Sequence, residues 1–342
     1  MPVLQPDALV DERVDTIRSF HAAVGTDRAE LDLSGGVDSA VMLGLLARAL
    51  GPANITTVHS RIHSNVEHLE RARETADAFE VPLVVVDLTE VYEQLVDTMI
   101  RGLAATGTES EAAIRARCQA DPLILGSIRS CLRAPVGRGF NRLTGGGIRH
   151  GTGNECEDRW MRFYQKGGDG EVDTNPIAML SKGEVFQLGA ALGVPAATLA
   201  ARPSPDLWGK GDDHNDEDEI ADYLGLSPEG HTFYSYIDLA TGAYTHVGLI
   251  ERVSRLLDAS MGSGTVESAL FHEGVPVDDI VTHALTHPAT SPLGADILAP
   301  LLGAVRRVER ATRHKLNPNC PTLGDRGPLV AAGILGDALP EV

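Results

Sequence analysis

Aromatic residues are scarce in this 342-residue chain, at 4%, and long apolar runs are missing. No stretch of about 18 apolar residues, the length a helix needs to cross a bilayer, occurs in it. Met1 to Arg13 carries neither the basic nor the apolar region of a secretory signal. The expected location is therefore the cytoplasm, with no membrane partner. Cysteine is sparse too: Cys118, Cys131, Cys156 and Cys320 stand apart without a CxxC pair, which argues for reduced thiols and against a disulfide frame or zinc site. Positive charge is short, with 29 Lys and Arg against 48 Asp and Glu and a net charge of −19. Contacts to a nucleic-acid backbone need clustered cations, so nucleic acid is excluded as a general partner. A phosphorylated ligand must instead be held by local dipoles, a few placed lysines and a metal cation.

What the chain does have is Ser34-Gly35-Gly36-Val37-Asp38-Ser39, placed where an apolar strand turns into a helix. Glycines and serines there expose backbone N–H groups at a helix N-terminus and so make an anion cradle. Asp38 puts a negative charge into that cradle. A helix N-terminus stabilises an exposed anion by only about 0.3–1 kcal/mol, too little to hold a polyphosphate against a carboxylate. A divalent cation between them turns repulsion into a bridge, so the loop implies ATP with Mg²⁺, with Asp38 on the metal. The Walker loop is a different device, because it carries a lysine after more widely spaced glycines. The loop resembles the phosphate loop of the N-type ATP pyrophosphatases, which cleave ATP between the α and β phosphates. A simpler reading is a strand-to-helix turn capped by Ser34 or Asp38.

Hydrophobic content of 43% is enough for a substantial core. Residues 29–33 predict a first strand and Asp38 to Leu50 a helix stopped by Gly51-Pro52. Asn54 to His59 predict a second strand. Leu69, Ala72, Ala76 and Phe79 recur at helical spacing before the apolar run Val81 to Leu88. Alternating strands and helices predict an α/β fold with a doubly wound, Rossmann-like parallel sheet. Leu83 to Val86 reads as a strand buried on both faces, and such sheets bind ligands beyond their carboxyl ends, where the Ser34 loop falls. Gly145-Gly146-Gly147 reads as a turn before a strand at 148–152. Ser181-Lys182-Gly183-Glu184 reads as a capping box opening a helix that Gly193 and Pro195 close. Asp212 to Glu219 reads as a solvated loop or a lid, and extra C-terminal helical segments follow from Leu224.

A second constellation, Gly151-Thr152-Gly153-Asn154-Glu155-Cys156-Glu157, repeats the device of a Gly and Thr turn ahead of a carboxylate. Lys166, Gly167, Gly168, Asp169, Gly170, Asp173, Pro176 and Lys182 come after it. A second acidic metal ligand and a few lysines are what an adenylating site needs beyond its first loop. In order and spacing these segments are similar to those of the ammonia-dependent NAD synthetases, with Arg202 to Trp208, Asp216 to Glu219 and Arg313-His314-Lys315 adding to the likeness. The resemblance implies that Ser34, Gly35, Gly36, Val37, Asp38, Ser39, Thr152, Lys182 and Ser204 hold ATP, and that Asp38 and Glu157 hold Mg²⁺. It assigns catalysis to Asp38, Glu157 and Lys182. It also implies that Arg133, Lys166, Asp169, Asp173, His314 and Lys315 hold the substrate, deamido-NAD, and that the enzyme is a homodimer. One NAD synthetase-like domain would then span 1–342, with a longer helical insertion at about 225–305.

The family stretch N-x-K-x-R-x-R-M reads here as Ser127-Ile128-Arg129-Ser130-Cys131-Leu132-Arg133-Ala134, so a thiol stands where a cation is usual. His59 and His63 read first as hydrogen-bonded structural histidines, and Cys156 lacks the adjacent histidine a nucleophile needs. The expected chemistry is adenylation of a carboxylate followed by attack of ammonia. No glutaminase apparatus is visible, so free ammonia or a separate glutaminase supplies the nitrogen. Two other readings stay open at this stage: another N-type ATP pyrophosphatase with a different acceptor, and a nucleotide-binding sensor that kept the loop.

Overall fold

The computed structural model describes residues 3–155, 157–158, 164–201 and 326–336, with isolated positions between 279 and 324. Chain order is helix α1 (Pro6–Val24), strand β1 (Ala29–Asp32), α2 (Val37–Leu50), β2 (Ile55–Arg61), α3 (Val66–Ala78) and β3 (Leu83–Asp87). Then come α4 (Thr89–Ala104), α5 (Glu111–Ala120), α6 (Pro122–Leu143), β4 (Ile148–His150), α7 (Lys182–Leu192) and α8 (Ala196–Ala200). The sheet runs β3-β2-β1-β4, and every pairing in it is parallel. Each connection between neighbouring strands therefore carries a helix across the sheet, as the alternating pattern requires.

Side chains alternate across a strand, and β1 uses the two sides differently. Leu31, with Leu33 just beyond the strand, enters a core built with Val41, Leu45, Ile17 and Phe186 from α2, α1 and α7. Glu30 and Asp32 face the other way, toward Arg149 of β4 and the underside of α6. Arg149 Nη1 lies 2.7 Å from both carboxylate oxygens of Glu30, and its Nη2 reaches Asp32. Gly137 lets α6 come this close: a Cβ there would fall 1.6 Å from Arg149 Nη1. Burial pushes the Glu30 carboxyl above its usual range, Asp32 adds to the push, and Arg149 opposes it.

Strand β3 differs from expectation. It lies at the edge of the sheet and is only partly covered, with Val85 exposed. An apolar run cannot distinguish a central strand from an edge strand, because both are extended and apolar. The Gly145 to Gly147 turn is as expected, and all three glycines have positive φ. Segment 101–124 becomes the end of α4, all of α5 and the start of α6, tied together by a small cluster of Ile100, Ile114 and Cys118. The charge run at 212–219 and the insertion at about 225–305 fall largely outside the described residues. No described helix is long and apolar enough to cross a membrane.

Candidate active site

The loop after β1 is held by its own serines. Ser34 Oγ and Ser39 Oγ are 3.0 Å apart, Gly36 N donates to Ser34 Oγ at 3.2 Å, and Ser39 Oγ donates to Gly36 O at 3.0 Å. Gly35 has φ +90°, and a Cβ there would lie 2.2 Å from the His68 carbonyl oxygen, so only glycine fits. Gly36 is the N-cap of α2, and no side chain caps that helix. Ser34 is tied to Gly36 and Ser39, but Asp38 does not spend its carboxylate on the first turn, and the positive end of the α2 dipole opens onto a cavity.

That cavity has a volume of about 400 Å³, within the range of small-molecule sites. It lies beyond the carboxyl ends of β1 and β2, as a parallel sheet predicts. Ser34, Gly36, Val37, Asp38, Thr152, Glu157 and Lys182 line it, as do Arg133, Asp169 and Lys315. The two motifs meet at an ammonium: Lys182 Nζ donates to Asp38 Oδ2 at 2.6 Å and to Glu157 Oε1 at 2.7 Å. Asn154 braces the pair, donating from Nδ2 to Asp38 Oδ1 and accepting at Oδ1 from Glu157 N, both at 3.2 Å. Burial pushes the Asp38 carboxyl up and Glu157 adds to that, while Lys182 and Asn154 pull it back.

Lys182 is placed by the expected capping box. Glu184 N donates to Ser181 Oγ, and Ser181 N donates to Glu184 Oε2 at 2.9 Å. Arg326, in the C-terminal helix Arg326–Ala331, grips the buried Glu184 carboxylate with both of its Nη atoms. Two hard carboxylate oxygens converging on one cation position suit Mg²⁺, which takes one or two protein carboxylates and completes its shell with phosphates and water. Among the described residues no larger cluster of His, Cys, Asp and Glu forms a metal cage.

Other expected residues are placed differently. Ser39 is buried behind the loop, and Gly35 gives its carbonyl to Arg71 Nε at 3.1 Å. Lys166 is exposed and outside the cavity wall. Asp173 is also outside it, gripped by both Nη atoms of Arg138 at 2.8 Å and accepting from Arg149 N. Those bonds hold its carboxyl below the usual range against the opposing effect of burial. Cys131 does not line the cavity either; its neighbours Ser130 and Arg133 do. Ser204 and His314 lie outside the described residues.

Several wall residues carried no motif signal. Ser130 Oγ donates to Asp169 Oδ1 at 2.7 Å and Gln165 N donates to the same oxygen at 2.8 Å. Burial raises the Asp169 carboxyl and these bonds lower it. Asp169 itself is exposed on the cavity wall. Asp158 joins Glu157 on the wall, and burial, with Asp169, Glu157 and Asp38 nearby, pushes its carboxyl well up. Tyr164 OH donates to Lys315 O at 2.7 Å and Lys315 Nζ donates to Tyr164 O at 2.6 Å, a reciprocal clasp on the same wall. His59 Nδ1 lies 2.8 Å from Leu33 O, consistent with the structural reading. His63 pairs with Glu93 on the surface.

The geometry can be set beside known proteins. A family model described as NAD synthase matches residues 9–232. The chain is 30% identical over 236 residues to the NH(3)-dependent NAD(+) synthetase of Alkaliphilus oremlandii, covering 67% of this chain and 82% of that protein. The protein of the same name from Carboxydothermus hydrogenoformans is 33% identical over 225 residues, covering 65% and 78%. Among solved structures, NMN synthetase from Francisella tularensis superposes with a TM-score of 0.53 at 25% identity, covering 66% of this chain and 83% of the other. NAD+ synthetase from Burkholderia pseudomallei, at 19% identity and a TM-score of 0.52, shares the fold over 92% of this chain and 91% of its own. With the family model covering most of the chain and the two loops meeting in one cavity at the sheet's carboxyl edge, the chain belongs to the NAD synthase family.

Proposed function

We propose that this protein is an ammonia-dependent NAD synthetase, converting deamido-NAD to NAD with ATP. The observation that carries the reading is the meeting of the Ser34 loop and Glu157 across Lys182 in one cavity, an arrangement that would suit a phosphate cradle with two metal-holding carboxylates and a charge-neutralising lysine. The two sequence relatives described above share the name NH(3)-dependent NAD(+) synthetase, which favours deamido-NAD as the acceptor.

A carboxylate is a poor acyl donor, because an oxide-like oxygen would have to leave. In the proposed sequence its oxygen attacks the α-phosphorus of ATP and pyrophosphate departs. Ammonia then attacks the acyl carbon and AMP departs with the original carboxylate oxygen, leaving the amide and a proton. The backbone N–H groups of the Ser34 loop and the α2 dipole would receive the phosphates, and Lys182 would offset charge developing on pyrophosphate. Bound Mg²⁺, held by Asp38 and Glu157, would supply further charge stabilisation. Arg133, Asp169 and Lys315, which also line the cavity, would face the acceptor.

A homodimer is part of the proposal. Along α4 the apolar side chains Val91, Leu95, Met99 and Leu103 recur every fourth residue and are 51%, 37%, 42% and 44% exposed. A continuous apolar stripe on an exposed helix face is surface that another copy can bury.

The test is an acceptor screen on the purified chain with ATP, Mg²⁺ and ammonium. Pyrophosphate and NAD should appear together with deamido-NAD, rise with ammonia concentration, and stay near background with glutamine alone. The mononucleotide counterpart of the acceptor is the control raised by the likeness to NMN synthetase. Pyrophosphate release with another carboxylate but not with deamido-NAD would refute the proposal.

A further inference from the structure

Two carboxylates that converge in a partly buried place repel each other and have lost part of their hydration, so they stay ionised together only if a cation lies between them. Here that cation is Lys182, which is 4% exposed and bonded to both Asp38 and Glu157. The ammonium stands between the groups assigned above to the metal. We infer that Lys182 also serves as the resident cation of the metal-free site, aligning Asp38 and Glu157 and transferring to the phosphates when metal and nucleotide arrive together. The inference rests on the ATP and Mg²⁺ reading of the site.

The surroundings suit such a transfer. The Lys182 backbone is fixed, since it is the first residue of α7 behind a capping box whose Glu184 is gripped by Arg326. Its ammonium is a point charge with three donors on a flexible stem, so it can exchange one set of anionic oxygens for another without backbone motion. Asn154 holds Asp38 and the backbone of Glu157 independently of the lysine, so the two segments that carry the carboxylates stay in place when it leaves. A bare divalent ion must displace the ammonium from both carboxylates and then repels it at short range. A metal bound to ATP brings phosphates that accept it. Metal and nucleotide binding are thereby coupled, and metal alone is held off.

Mn²⁺ binding without nucleotide, followed by electron paramagnetic resonance, tests this directly. Lys182→Met and Lys182→Gln should each bind Mn²⁺ at least about tenfold more tightly than wild type, or about 1.4 kcal/mol. Lys182→Arg, which keeps the charge, should bind it as weakly as wild type, and adding Asp38→Asn to Lys182→Met should abolish the gain. Two neutral variants guard against one failing to fold, which thermal melting reports. If a folded neutral variant binds Mn²⁺ no more tightly than wild type, while wild type still binds ATP with Mn²⁺, the resident-cation role is overturned and the site reading stands. If wild type binds no ATP with Mn²⁺ at millimolar nucleotide, the site reading itself is overturned.

Discussion

Asp38 and Glu157 have one formal charge each, yet they are held in different ways. Asp38 is fixed by the first turn of a helix packed into the core, whereas Glu157 lies in a short π-helical stretch braced by Asn154. Asp38→Asn and Glu157→Gln should each lower acceptor-dependent pyrophosphate release by about 100-fold or more, since each removes charge stabilisation from the reacting phosphates. Circular dichroism should show the fold intact. Near-normal turnover of either variant at limiting Mg²⁺ would disprove its assignment. Arg133 offers a second test, because it lines the cavity while Cys131 does not. Losing one guanidinium contact costs about 1.5–3 kcal/mol, so Arg133→Ala should raise KM for the acceptor roughly ten- to hundredfold. Cys131→Arg should change KM little. Motif spacing singled out Ser34, Asp38, Thr152, Glu157 and Lys182, and the fold brings all five to one cavity wall. Asn154, Asp158 and Ser130 were not legible, since their roles depend on partners that only the folded chain brings near. Lys166 and Asp173 show the converse: their motif positions were clear, but neither reaches the cavity wall.

At the scale of elements, the strands and the helices α2, α3 and α7 could be read because Gly, Pro or capping residues bound their apolar patterns. Helix α6 was harder. It contains Gly126, Pro135, Gly137 and Gly139, which read locally as breakers, and it persists because it packs on β1, β2 and β4. Strand β4 carries a feature that periodicity could not reveal. His150 is buried, and its Nε2 lies 3.0 Å from Nε2 of His21, whose Nδ1 meets Thr26 O at 2.9 Å. The carbonyl makes His21 Nδ1 the donor, so His150 Nε2–H donates to His21 Nε2 and both rings are neutral. Burial pushes His150 down to about 3 from 6.5, and it pushes His21 down as well. A histidine with a depressed folded pKa binds fewer protons than the unfolded chain does. Its destabilising effect is therefore absent above 6.5, and it grows as pH falls from 6.5 toward about 3. Denaturant melts should show stability falling by on the order of 3–5 kcal/mol across that window through this pair, alongside other titrating groups. His150→Gln should flatten the slope; a slope identical to wild type would show that the pair does not titrate this way.

For the whole molecule, the sheet leaves β3 as an edge and α4 keeps an exposed apolar face, which poses the question of what covers them. A net charge of −19 opposes self-association at long range, so a dimer needs apolar contact concentrated where like charges are few. The α4 stripe meets that need in part: Val91, Leu95, Met99 and Leu103 lie on one side of the helix, while Arg101 pairs with Asp97 and Arg115 with Asp97 and Glu111 beside it. Burying these four side chains against their counterparts would remove several hundred Å² of apolar surface, at roughly 25 cal/mol per Å². Placing a carboxylate in the middle of such a contact leaves a charge buried without a partner in each copy. Leu95→Glu combined with Met99→Glu should therefore convert a dimer to a monomer in analytical ultracentrifugation while leaving the monomer's melting temperature within a few degrees. Two carboxylates on an already exposed helix face do not disturb the core, which separates loss of assembly from loss of fold. A wild-type chain that sediments as a monomer at micromolar concentration would rule out the dimer. A dimer unaffected by the double substitution would place its interface away from α4.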